Sequence, residues 1–258
     1  MRVYHFLPAN WALDDIRRKR IKISVIDELN DPFELWCVEQ PDKRLRQALR
    51  GFKAEMVARF GMICFSKSWH NPLLWSHYAD KHRGVCLGFD VDDRGLKPVT
   101  YSVDRPNLKL PPTLESINEL LFTKFQGWSY EEELRNWFRL DEKEDGHYFY
   151  PFDQMVRLRE VIAGALCNLN RTEIDDALQG QSAVAVFKAR LAFKTFRVVK
   201  NRKGFSGSDN RCHNGRSQSL SLGYYGVRCG GSMASVLKPE CPHRNEDNLV
   251  ELRESGSH

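Results

Sequence analysis

The chain has 258 residues, a formal net charge of +5, 41% hydrophobic and 28% charged residues. That composition suits one sizeable domain with at most an appendage. No apolar run approaches the roughly 20 residues that span a bilayer, and the opening MRVYHFLPANW carries one basic residue before a polar-interrupted run, so neither a secretory signal nor a membrane partner is expected. Seven cysteines, scattered and often inside apolar runs, fit reduced thiols in a cytoplasm better than a disulfide framework. The mild positive charge permits anionic ligands without demanding them.

Val3 to Leu7 reads as a first strand ending at Pro8. Trp11 to Arg20 reads as a helix with Asn10 as its N-cap. Ile21, Ile23 and Val25 alternate with Lys22 and Ser24, the mark of a half-buried strand. A turn at Asn30-Asp31-Pro32 leads into Phe33-Glu34-Leu35-Trp36. Residues 42–60 predict a basic amphipathic helix whose Lys and Arg form a solvated face.

Met62 to Phe65 and Val85 to Phe89 are short enough to be buried strands. Between them Asn71-Pro72 opens a helix. Tyr78 and His82, four apart, share a face with Trp75 one turn earlier. Strand, aromatic helix and strand form a shelf on which a flat ligand could stack. Val99 to Tyr101 predicts a short strand, and 114–125 a helix. Trp128 to Phe138 predicts a strand with period-two aromatics, with helix as a competitor because the run is rich in Glu. Val156 to Cys167 predicts a strand, Thr172 to Leu178 a helix, and 183–190 with 192–199 a final strand pair.

The composition changes near Gly204. Residues 1–204 read as a single α+β domain, a split mixed β-sheet with peripheral helices. Residues 205–258, rich in Gly, Ser, Asn and Arg, read as a poorly ordered or non-native tail. Its Cys212, His213, Cys229, Cys241 and His243 match no closed zinc spacing, and no metal site is expected. No Walker loop, dinucleotide-binding glycine fingerprint, His-Glu-x-x-His run or nucleophile elbow occurs.

Four motifs stand in order: Tyr4-His5-Phe6; Asn30-Asp31-Pro32-Phe33-Glu34; the block Cys64-Phe65-Ser66, Leu74-Trp75-Ser76-His77-Tyr78-Ala79-Asp80 and His82-x-Gly84-Val85-Cys86-Leu87-Gly88-Phe89; and Trp128-x-Tyr130-Glu131-x-Glu133-x-Arg135. Over roughly residues 3–200 they resemble a mostly bacterial family, the domain of unknown function twenty-nine seventy-one, whose name carries no activity. A second resemblance is to the ADP-ribosyltransferase fold, where a strand His or Arg, a helix Tyr or Ser and a later strand Glu surround NAD. His5, Tyr78 and Glu133 follow that order, although Phe6 stands where a glycine often follows the first-strand residue.

That second resemblance implies an NAD-using ADP-ribosyltransferase or NAD glycohydrolase, acting in toxin or anti-phage conflict, with an unidentified protein or nucleic-acid acceptor. Cleavage of the nicotinamide–ribose bond develops positive charge on the ribose, which a carboxylate would stabilise. Glu133 takes that role, with Glu131 beside it to orient or deprotonate an acceptor. Tyr78 and Trp75 supply the stacking shelf, and His5 donates to the adenine-side ribose. Ser66 serves the carboxamide or a phosphate, and Arg135 the pyrophosphate. Each has a plainer role: Glu131 or Glu133 paired with Arg135, Trp75 and Tyr78 as core packing, His5 as a hydrogen-bonded strand histidine. A second class of function is a non-catalytic module binding a nucleotide or nucleic acid through Trp75, Tyr78, Trp128 and the basic helix.

Overall fold

The apolar runs become strands, and one edge of one strand is shared by two others. The computed structural model describes residues 1–108, 113–153 and 155–205. The tail and its Cys and His residues lie outside the described residues, apart from Phe205.

The described residues form an α+β structure. In chain order it holds β1 (Arg2–Leu7), α1 (Ala9–Arg18), β2 (Arg20–Val25), α2 (Lys43–Arg59), β3 (Phe60–Ser66), α3 (Pro72–Tyr78) and β4 (Val85–Val91). There follow β5 (Lys97–Pro98), β6 (Thr100–Ser102), α4 (Leu114–Phe122), β7 (Thr123–Phe125), β8 (Glu133–Arg139), β9 (Tyr148–Pro151), β10 (Val156–Ala163), α5 (Arg171–Leu178), β11 (Ala185–Leu191) and β12 (Val198–Lys200).

The main sheet runs β12-β11-β10-β4-β1-β3-β2-β9, with β8 on the other edge of β3 and β5 on β8. It is mixed: β10 and β11 are parallel, joined through α5, and the other pairs in it are antiparallel. β1 lies along β4 from Arg2 opposite Asp90 to Leu7 opposite Val85. Against β3 it pairs only where Tyr4 faces Ser66. β2 meets the far end of β3, with Ser24 opposite Met62 and Val25 opposite Gly61. Between these two contacts β1 and β2 part, and the Cys64 carbonyl is met by a side chain, the His5 ring, rather than by a strand.

Alternation along the strands buries both faces of the sheet. Val3, Leu7, Leu87, Phe89 and Val161 pack with Ala12 and Ile16 of α1 and Ile174 and Ala177 of α5. On the other face Phe6, Cys86 and Ile162 pack with Leu74 and Trp75 of α3 and Phe187 of β11. α2 starts at Asp42, whose carboxylate accepts from the Leu45 amide at 2.8 Å, a cap worth about 1 kcal/mol. It buries Leu45 and Leu49 and leaves Lys43, Arg44, Arg50 and Arg59 exposed, the solvated face expected of it. Among the described residues Cys37, Cys64, Cys86 and Cys167 are free thiols.

Several boundaries move. Helix α1 starts directly after Pro8, whose fixed φ suits a helix entry, so Asn10 lies inside the helix and caps nothing. The helix expected over 114–125 stops at Phe122, and Thr123–Phe125 pairs with β6 as a parallel ribbon. The strand expected over 128–138 is really two pieces. Gln126–Glu131 is a 3-10 turn, Glu132 turns left-handed at φ 45°, and the strand starts at Glu133. The last strand, expected over 192–199, shrinks to Val198–Lys200.

Candidate functional site

A cavity of about 330 Å³ occupies the parting between β1 and β2. It is lined by His5 of β1, Trp11 and Asp15 of α1, Lys22 and Ser24 of β2, Cys64 and Ser66 of β3, and Tyr78 of α3. Asn30, Lys124, Glu131 and Glu133 also line it. Five of the seven residues expected at the site therefore meet: His5, Ser66, Tyr78, Glu131 and Glu133.

Two do not. Trp75 is fully buried, edge-on to Phe6 at 5.2 Å between ring centroids, with its indole N–H donating to the Trp69 carbonyl at 2.6 Å. It is core, not a stacking platform, because α3 is only seven residues long and its inner face packs on β1. Arg135 is 1% exposed and its donors are taken. Nη1 and Nη2 clamp both oxygens of Glu34 at 2.6 and 2.8 Å, Nε reaches Glu133 at 2.6 Å, and Nη1 also reaches the Leu121 carbonyl at 3.0 Å. None of its donors is left to face the cavity for a pyrophosphate.

Beside the cavity lies a buried ion cluster. Lys124 Nζ donates to Glu131 at 2.7 Å and to Glu133 at 2.8 Å, which joins the Arg135–Glu34 pair to the cavity wall. Three carboxylates (Glu34, Glu131, Glu133) face two cations (Lys124, Arg135), so the fully ionised cluster carries one net negative charge. Glu131 and Glu133 were expected on one strand face. They meet for another reason: the left-handed Glu132 folds the 3-10 turn back so that both reach one ammonium.

The two carboxyls sit in different fields. Burial raises the pKa of both. For Glu133 the guanidinium of Arg135 and the ammonium of Lys124 overcome burial and bring it down to about 2. For Glu131 burial prevails over Lys124, the negative charge of Glu133 adds to it, and the pKa is raised. Glu131 is also held by the Tyr78 hydroxyl, which donates to its Oε1, while the Asn30 amide donates to that hydroxyl at 2.8 Å. Burial and the charge of Glu131 raise the Tyr78 pKa, so the phenol stays a donor.

The Asn-Asp-Pro-Phe-Glu turn organises this side of the site. Asp31 accepts from the Phe33 amide at 2.9 Å, the local bond that makes the turn. Asn30 then points at Tyr78 and Glu34 at Arg135. Leu35 follows at φ 62°, a conformation unfavourable for a non-glycine residue and maintained here by its complete burial. Helix α3 is started by Asn71, whose side chain accepts from the Leu73 amide at 3.0 Å, with Pro72 at its first position. After it the chain reverses through Asp80, Lys81 and His82, all at positive φ. At Gly84 a Cβ would stand 2.3 Å from the Leu7 carbonyl, so only glycine lets this reversal lie on β1.

His5 Nδ1 lies 2.9 Å from the Cys64 carbonyl. A carbonyl only accepts, so Nδ1 carries the proton. Burial holds the pKa below its ordinary value despite this bond. The neutral ring thus offers Nε2 as an acceptor, so it does not supply the donor to a ribose expected of His5. Ser66 Oγ donates to the Ser68 carbonyl at 3.0 Å and accepts from the Ser68 amide.

Lys124, Asn30 and Asp15 were not expected here. Asn30 lay within a recognised turn, and a polar side chain before Asp-Pro was its only signal. Lys124 stands in a three-residue strand with no periodicity to mark it. The surface asked of a binding module is also broken up, since Trp75 is core and Tyr78 faces the cavity. Among the described residues no helix is long and apolar enough to cross a membrane. No protein-family model, curated protein or solved structure matches the chain.

Proposed function

We propose that the chain is an enzyme of N-glycosidic bond chemistry, an NAD glycohydrolase or ADP-ribosyltransferase on an ADP-ribosyltransferase-like split sheet. The observation that carries this reading is the convergence of His5, Ser66, Tyr78, Glu131 and Glu133 on one cavity at the parting of the strands. Two carboxyls whose environments drive their pKa values apart divide the labour of an acid–base pair.

In this reading the C1′–N bond of the nicotinamide ribose breaks and its electron pair goes to the pyridinium nitrogen, so neutral nicotinamide leaves. Positive charge develops on the ribose ring. Glu133, held ionised by Arg135 and Lys124, and the net negative cluster behind it stabilise that charge. Water or an acceptor hydroxyl attacks C1′ and its proton passes to Glu131, whose raised pKa suits it to receive one. His5 Nε2 accepts from a ribose hydroxyl. Tyr78 and Asn30 keep Glu131 in place.

Nicotinamide release from NAD by the purified protein tests this. Release by the wild type, falling at least about a hundredfold in Glu131→Gln, is the expected result. Absence of release from a folded wild type, with and without protein or nucleic-acid acceptors, would refute it.

A further inference from the structure

Asp15 is the one cavity-lining carboxyl that the chemistry above does not use. It sits on α1, is 0% exposed, and neither of its oxygens meets a donor at hydrogen-bond geometry among the described residues, although the Lys22 backbone amide lies close enough to act on it. The charged groups nearby are engaged elsewhere, except that the buried Nε of Arg20 has no hydrogen-bond partner among the described residues. Asp14 is bound by Arg18 and Arg20, each at 3.1 Å; Arg20 also pairs with Glu144; and Lys22 Nζ reaches Glu28 at 3.1 Å. Around Asp15 the same cavity is walled by Leu7, Pro8, Trp11 and Phe65. A buried carboxyl without a partner costs more than a hydrogen-bonded one, by roughly 1–3 kcal/mol. Truncating it to an apolar residue would relieve that cost, so its presence in a ligand-sized cavity asks for a donor from outside the chain.

We propose that Asp15 is a ligand-binding residue whose carboxyl group pairs with the NH₂ group of a flat heterocycle seated in the cavity. The inference rests on the NAD reading and gives it a recognition element. NAD carries that group twice, as the primary carboxamide of nicotinamide and as the amino-pyrimidine edge of adenine. In both, the NH₂ lies beside an acceptor, the carboxamide oxygen or a ring nitrogen. A protonated carboxyl matches that edge with two bonds: its C=O accepts from the NH₂ and its O–H donates to the neighbouring acceptor. An ionised carboxylate keeps the first of these. Burial pushes the Asp15 pKa up to about 7, with the charge of Asp14 adding to it and Arg20 and the Lys22 amide opposing it, so both forms are present near neutral pH. The cavity volume, at the lower end of the range for small-molecule sites, accommodates a base and its sugar more readily than a whole dinucleotide.

Calorimetric titration with two matched ligand pairs tests the proposal. Nicotinamide is set against 3-acetylpyridine, which replaces the NH₂ by CH₃, and adenosine against purine riboside, which lacks the amino group. Wild type should favour the NH₂ member of one pair by about tenfold. Asp15→Leu should erase the preference and Asp15→Asn, which keeps a carbonyl acceptor, should retain it. A preference in the first pair assigns Asp15 to the carboxamide, and one in the second to the adenine edge. A wild type that binds these ligands without preference, or a preference surviving in Asp15→Leu, would overturn the role of Asp15 and leave the NAD reading standing. Binding of none of the four by folded wild type, together with no nicotinamide release from NAD, would overturn both. If Asp15→Leu does not fold, Asp15→Ala, which also removes the acceptor, takes its place: loss of the preference supports the role of Asp15 and its survival overturns it.

Discussion

Between β10, β4 and β1 the strands pair along most of their length, and the side chains at their centre, Val85, Leu87, Phe89, Val161 and Ile162, are apolar and buried. Between β3, β8 and the neighbouring β7 the buried side chains include Glu133, Arg135 and Lys124, with Glu34 and Glu131 brought in from turns. The first region is held as any sheet core is held, by apolar area removed from water at about 25 cal/mol per Å². The second carries charges that a core does not need, since well-packed apolar replacements of buried ion networks are often neutral or stabilising. The cavity opens where these two regions part. The comparison teaches that buried apolar area is concentrated on one side of the parting and buried charge on the other.

The largest effect should come from Arg135→Met. It leaves Glu34 and Glu133 buried without their guanidinium, and urea unfolding should show a loss of about 3–5 kcal/mol. A loss below about 1 kcal/mol would mean that the cluster is not the closed network described. Next, Leu87→Ala in the apolar region should cost about 2–5 kcal/mol through the cavity it leaves, with the KM for NAD unchanged where the variant is folded. A changed KM would join the two regions that the comparison separates.

A smaller effect follows from Asp15. Its folded pKa, about 7, lies above the ordinary 3.8, so its contribution to stability is fully present below the ordinary value and is lost as the pH rises through about 7. Replacing it with Asn removes that dependence. The melting temperature of Asp15→Asn should therefore vary less between pH 4 and 8 than that of the wild type. Its stability relative to the wild type should be greater at pH 8 than at pH 4. Parallel pH profiles for the two proteins would contradict the buried carboxyl.

The sequence made some of this legible and hid the rest for physical reasons. Short β-branched and apolar runs marked β1, β3 and β4, because both faces of those strands are buried, and with them came His5 and Ser66. Helix periodicity placed Trp75, Tyr78 and His82 on one face. The helix ends at Tyr78, however, and His82 stacks on Trp75, at 6.3 Å and 12° between rings, through the left-handed reversal instead. Period-two spacing paired Glu131 with Glu133, yet a 3-10 turn and one left-handed residue bring them together. Lys124 and Glu34 gave no sign of their partners. Glu34 binds Arg135 from 101 positions away along the chain, and no local pattern encodes a contact of that range. Asp15 stands inside the helix expected over Trp11 to Arg20, and nothing in the sequence singles it out. Only the parting of β1 from β2 makes it a cavity wall.

The most direct test of the account compares nicotinamide release from NAD by wild type, Glu131→Gln and Leu87→Ala, each at a temperature where it is fully folded. The account predicts release by wild type, an unchanged kcat in Leu87→Ala, and a fall of at least about a hundredfold in Glu131→Gln. Equal losses in the two variants, or an undiminished kcat in Glu131→Gln, would contradict it.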